Sequence, residues 1–188
     1  MQRSTITRSA LAAGLVLVSA GPLTPAPAAA KPVGIDGGKT IVKATKEGLL
    51  VLEGQGISLN PVRPGRVTLR GISFPIVRGR VDTKTLAGKV RHSGGLRFSK
   101  GSISVRASNF VVNTRKAAVT AVIGGNRVRL FDLRFTAAAK RKGKRITVPA
   151  VEARLSRTAA RALNGAFQTT AFERGLLIAA AEVHLKRN

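Results

Sequence analysis

Few residues in this sequence could do chemistry, and His92 stands first among them. It lies in Gly88-Lys89-Val90-Arg91-His92-Ser93-Gly94-Gly95-Leu96, with Arg91 and Arg97 close by. A histidine can donate, accept or ligate near neutral pH, yet the residues that usually complete such a site are missing. The sequence has no Cys, no Tyr and no Trp, and its single Met is Met1. Disulfides, thiolate metal sites and a lipidated N-terminal Cys are therefore excluded. The eight carboxylates (Asp36, Glu47, Glu53, Asp82, Asp132, Glu152, Glu173 and Glu182) are dispersed, with no paired spacing for acid–base work. Gly34-Ile35-Asp36-Gly37-Gly38-Lys39-Thr40 ends like a phosphate loop but lacks the spacing from the first glycine and the strand before it. No catalytic residue and no metal cluster emerges, and the chain reads as a non-enzyme. His92 keeps two readings: its ring satisfies backbone groups at the Ser93-Gly94-Gly95 turn, or it faces a ligand, directly or through a partner. His184 reads as structural.

Charge bounds the partners. The 188 residues carry 33 Lys and Arg against eight acids, a net +25. Such a field draws anions: phosphate polymers, acidic wall polysaccharide, lipid head groups or carboxylated small molecules. Nucleic acid is not expected, because the aromatic platforms on which single strands stack are absent. A solvated basic surface suited to an anionic envelope is the plainer reading.

The elements that must position His92 are mostly strands. Period-two alternation marks Val67–Arg70, Ile72–Ile76, Ser102–Ala107, Phe110–Val112, Ala117–Ile123, Arg127–Phe135, Ile146–Leu155 and Leu176–Leu185. Pro75 suggests an edge or a bulge. Gly124-Gly125-Asn126 is a turn signal, and the shift of apolar phase between Leu130 and Phe131 predicts a bulge. The dense run Lys140–Arg145 falls between two apolar segments, as a hairpin loop would. Ser156–Phe167, with a capping Ser and an Ala-rich body, predicts a short helix, and residues 44–53 a second one before a strand at Gly56–Leu59. Many short strands with glycine turns predict an all-β, sandwich-like domain with one or two short helices.

The first thirty residues read as a secretory leader. Arg3 and Arg8 precede the apolar run Ala10–Ala20, and the stretch to Ala30 is small-residue-rich and helix-breaking. Cleavage is expected after Ala30, since Ala28 and Ala30 fill the two small positions that the peptidase reads. A retained anchor fits less well, because the run is shorter than the roughly 20 residues a span needs. Removal takes two basic residues and no acid, which leaves a net +23. Residues 31–188 then form one β domain, secreted or wall-associated, with no transmembrane anchor.

Three stretches, in order, carry a resemblance. They are Phe74–Asp82; then Gly88–Phe98 with its G-x-V-x-H-S-G-G-L core; then Ala153–Phe167, with L-S-x-x-A-A-x-A-L-N-x-x-F, followed by Phe172-Glu173-Arg174-Gly175. Together they resemble the HtaA-type (haem-transport-associated) domain over residues 35–185. The resemblance implies an exported, β-rich, non-enzymatic envelope module. In the best-understood members a Tyr ligates haem and a His hydrogen-bonds that Tyr. His92 falls at the position of that His, whereas the Tyr has no counterpart. Two functions follow as expectations. One is a binding module for haem or another planar anion, with His92 at the site and Arg91 and Arg97 as a basic rim. The other is a structural or adhesive protein held on anionic wall polymer by its charge.

Overall fold

Alternating apolar residues build strands here because each strand has one face turned to a common interior. The computed structural model describes residues 31–188. The expected leader and cleavage point lie outside the described residues. Twelve strands and two helices follow in the order β1 (Pro32–Ala44), α1 (Lys46–Gly54), β2 (Ser58–Val62), β3 (Arg66–Thr68), β4 (Gly71–Asp82), β5 (Gly88–His92), β6 (Gly95–Lys100), β7 (Ile103–Asn113), β8 (Ala118–Ile123), β9 (Asn126–Phe135), β10 (Lys140–Lys142), β11 (Arg145–Leu155), α2 (Arg157–Phe167) and β12 (Leu177–Arg187). All the strand pairings are antiparallel.

The expected sandwich is corrected to a barrel. Strands run β7-β5-β4-β1-β12-β11-β9-β8, and β8 pairs back onto β7, so eight strands close on themselves. Closure abolishes the free edges that a sandwich leaves. Alternation alone does not separate the two, since both put every second residue inside. β6 and β2 extend outward from β7, β3 pairs with β4, and β10 pairs with β11.

Local signals account for much of this frame. Gly124 and Gly125, at φ +54° and +83°, join Ile123 to Asn126 in a two-residue hairpin turn. The predicted bulge is present: Val119 faces Phe131 and Thr120 faces Arg129, which leaves Leu130 as the extra residue. Pro75 sits inside β4 between β1 and β5, so it marks a bulge and not an edge. Ile76 faces His92 and Arg78 faces Arg91, with Val77 extruded between them. Lys142 and Arg145 close the basic hairpin around Gly143.

Both helices cap one end of the barrel. Ser156 Oγ accepts from Ala159 N at 3.1 Å and donates to Arg129 O at 2.6 Å, tying the start of α2 to β9. α2 buries Ala159, Ala160, Leu163 and Phe167, and Asn164 clamps the chain beyond it by bonding Phe172 N and O at 3.0 and 2.9 Å. Thr45 caps α1 in the same manner, through Gly48 N at 3.0 Å. The ends of the two helices meet where Thr169 Oγ1 donates to Gln55 Oε1 at 2.6 Å.

One glycine is decisive for closure. Gly38 lies in β1 at φ +125°, and a Cβ there would stand 2.0 Å from the carbonyl oxygen of His184 on β12. Gly37 has open space around it. Gly38→Ala is expected to cost about 2 kcal/mol from the forced backbone shift and the positive φ, whereas Gly37→Ala stays near neutral. Thermal unfolding of the two variants checks this. Equal midpoints would contradict the β1–β12 register.

Candidate functional site

β5 and β6 are one strand interrupted. Both run antiparallel to β7, end to end, with Arg91 facing Val111 and Gly95 facing Ser108. The chain breaks between them at Ser93-Gly94. Gly94 takes φ +91°, and its Cβ position lies 2.7 Å from Gly65 N, where no side chain fits. The expected turn at Ser93-Gly94-Gly95 is thus a kink within one strand line, and β4 pairs on one side of it while β2 pairs on the other. His92 is the last residue before that kink.

His92 points inward and is 6% exposed. Its Nε2 lies 2.7 Å from Thr40 Oγ1 on β1, two strands away. The ring therefore does not bond the backbone of the Ser93-Gly94-Gly95 turn, and that expectation is corrected. The turn finds other partners: Ser93 N donates to Pro75 O at 3.1 Å and Asn109 N to Gly94 O at 3.3 Å. Among the described residues, His92 Nδ1 is buried without a hydrogen-bond partner. A neutral imidazole has one N–H and one lone pair, so Nδ1 takes whichever role Nε2 leaves. Burial removes water from the charged form and lowers the His92 pKa from 6.5 to about 4. The ring is neutral at pH 7.

Thr40 and His92 line a cavity of about 360 Å³ inside the barrel. Among the described residues, the only other polar side chains on its wall are Thr85 and Thr114, no charged residue lines it, and five of the seven Phe do (Phe74, Phe98, Phe110, Phe131 and Phe135). The space exists because small residues stand where larger ones would fill an eight-stranded barrel: Ala44, Ala153, Ala179 and Ala181 face it. An apolar occupant would supply the packing contacts that this wall lacks.

The helix end of the cavity is closed by Leu52, Phe98 and Ile178, all buried. The other end is open, with Thr85, Phe135 and Ala137 both on the wall and exposed. The β4–β5 loop that shapes this mouth is held firmly. Asp82 Oδ1 accepts from Lys84 N at 2.8 Å, Thr85 N at 2.7 Å and Thr85 Oγ1 at 3.0 Å. The Thr85 amide foremost keeps the Asp82 carboxyl below its usual range. Thr114 Oγ1 bonds Leu86 O at 2.6 Å, and Arg141 on β10 donates to Thr83 O and Lys84 O, each at 3.0 Å.

The structure does not bring the three sequence-predicted site residues together. Arg91 and Arg97 are exposed on the outer face of the sheet, since Val90, His92, Leu96 and Phe98 take the inward positions. The rim expected from these two arginines is not beside His92. His184 also faces outward on β12, half-buried, 3.4 Å from Thr147 Oγ1 through Nδ1 and 3.1 Å from Glu182 Oε1 through Nε2. The latter contact lacks hydrogen-bond geometry. Thr40 was not foreseen: it is 52 residues from His92, and its only signal is the shared phase of Thr40, Val42 and Ala44. Among the described residues, no group of three or more His, Cys, Asp or Glu could hold a metal ion, and no helix is long and apolar enough to cross a membrane.

No family model matches the sequence, and neither does any curated protein. Solved structures do match. The chain is similar to the C-terminal domain of HtaA from Corynebacterium glutamicum, with a TM-score of 0.62 and 15% identity over 83% of this chain and 99% of that one. It is also similar to the N-terminal domain of the same protein, with a TM-score of 0.52 and 15% identity over the same shares. At such identity the likeness is one of fold, and the chain has the HtaA-type fold.

Proposed function

We propose that this chain is an exported, non-enzymatic ligand-binding module of the cell envelope that takes its ligand in the barrel cavity beside His92. The observation that carries this reading is a neutral, buried histidine with an unpartnered Nδ1, lining an apolar cavity of ligand size. Haem is the ligand that the resemblance to HtaA-type domains implies. The residues fit it through an imidazole and apolar walls, and not through a tyrosinate, because the sequence holds no Tyr. His92 would be the residue to hold the iron, and Phe74, Phe110 and Phe131 would pack on the ring. Arg91 and Arg97, facing outward, would serve as docking points for an anionic donor or acceptor and not as clamps on the ligand.

Haem titration tests this. A saturable Soret shift in the micromolar range that is lost in His92→Ala is the expected result. The absence of any shift at micromolar haem would overturn the haem reading.

A second reading has its own observation. Among the described residues, only Arg70, Arg129 and Arg154 of the Lys and Arg side chains pair with a carboxylate, so the outer surface carries many free cations. Such a surface suits retention on anionic wall polymer. Salt-sensitive binding to wall material, together with a flat haem titration, favours this alternative.

A further inference from the structure

The cavity is apolar along its length, and the segments at its open end carry exposed cations: Lys84 in the loop between β4 and β5, Arg115 in the loop between β7 and β8, and Lys140 at the start of β10, beside the wall residues Thr85, Thr114 and Ala139. Asp82, the last residue of β4, spends its carboxylate on the amides of Lys84 and Thr85. None of these three cations pairs with a carboxylate among the described residues. An occupant matched to this wall has no charge along its body and a negative charge at one end.

Shape narrows it further. An eight-stranded barrel leaves room for side chains or one small ligand. The wall residues of β12 run from Ala179 to Leu185, about 20 Å along the strand and about 15 Å along the barrel axis after tilt. That length suits an acyl tail. We propose that the open end of the barrel binds a single-chain lipid anion, a long-chain fatty acid, with its tail in the cavity and its carboxylate among the mouth cations. The inference rests on the cavity being a ligand site and does not depend on haem. His92 and Thr40 then form the polar patch that the tail passes.

The test uses purified protein freed of co-purified lipid on an apolar resin. It is titrated with cis-parinaric acid, a fluorescent polyene fatty acid, which is then displaced with palmitate or with the uncharged cetyl alcohol. One-to-one binding in the micromolar range is expected, with the alcohol about tenfold weaker than the acid. Lys84→Glu combined with Lys140→Glu, both on exposed side chains, is expected to weaken the acid about tenfold and leave the alcohol unchanged. Ala181→Phe narrows the bore and is expected to abolish binding of both. If that variant does not fold, the charge-reversed variant decides. No saturable binding, an alcohol as tight as the acid, or a charge-reversed variant without effect would overturn the inference. Fatty-acid binding with a flat haem titration overturns only the haem reading, and haem binding that palmitate neither matches nor displaces overturns only this one.

Discussion

Acidifying the protein from pH 6.5 to about 4 is expected to remove about 3 kcal/mol of stability through His92 alone. In the unfolded chain the imidazole accepts a proton near 6.5, while in the barrel it resists protonation until about 4, because burial disfavours the charged form and no carboxylate among the described residues lines the cavity to offset it. The stabilising difference is thus fully present above pH 6.5. It falls steadily through the window between the two values and levels off below it. Asp82, whose carboxyl is held low by the Thr85 and Lys84 amides, acts in the same direction but only below its usual 3.8, so the two windows separate. Urea unfolding at several pH values reads the slope, and His92→Gln, which keeps a hydrogen bond to Thr40 but does not titrate, should flatten it. An unchanged slope in that variant would mean that His92 is not the neutral, buried group described here. A ligand that engages Nδ1 of the neutral ring keeps its affinity for the folded protein through this window and binds more weakly only as the pH falls through about 4, where the folded ring itself takes up a proton.

The parts of the fold that were legible in the sequence are those whose cause is local. The cap at Ser156, the two-residue turn at Gly124-Gly125 and the bulge at Leu130 each follow from a few neighbouring residues. Pro75 carried half its meaning: a proline inside a strand implies an edge or a bulge, and only β5 arriving on the far side of β4 decides for the bulge. What was not legible depends on residues far apart. Closure of the barrel rests on β7 offering one edge to β5 and β6 and the other to β8. A sandwich strand with the same alternation would look identical in sequence. The site divides in the same way. His92 was conspicuous by its type, but its partner Thr40 is an ordinary threonine on a different strand, and the cavity arises from alanines that read as filler. Arg91 and Arg97 show the limit of reasoning by proximity: one residue from an inward position in a strand is the opposite face.

Phe74→Ala is expected to destabilise the protein by about 4 kcal/mol and to lower its thermal midpoint by on the order of 10 °C. The chain has no Trp and no Tyr, so its seven Phe must supply the large apolar surfaces that fix the interior. Phe74 is 3% exposed and meets Phe110 edge-to-face, with ring centroids 5.4 Å apart and planes at 82°. Its ring also lies against Gly65, whose Cβ position is 2.9 Å from Phe74 Cε1, next to the kink that ends β5. Truncation does more than open a new void, because Phe74 already borders the cavity: the two spaces merge, and a rigid barrel cannot collapse to refill them. The cost therefore belongs well inside the usual range for a buried Phe. Phe135→Ala, at the exposed mouth, loses much less, under about 1 kcal/mol. Calorimetry of both variants separates a packed wall from a loose one, since equal midpoints would mean that the barrel is not built around Phe74. Repeating the measurement with a saturating cavity ligand adds a second reading. Wild-type protein gains stability by mass action, and Phe74→Ala gains less if the tail loses its contacts with that ring, so the difference between the two gains measures how closely ligand and wall are packed.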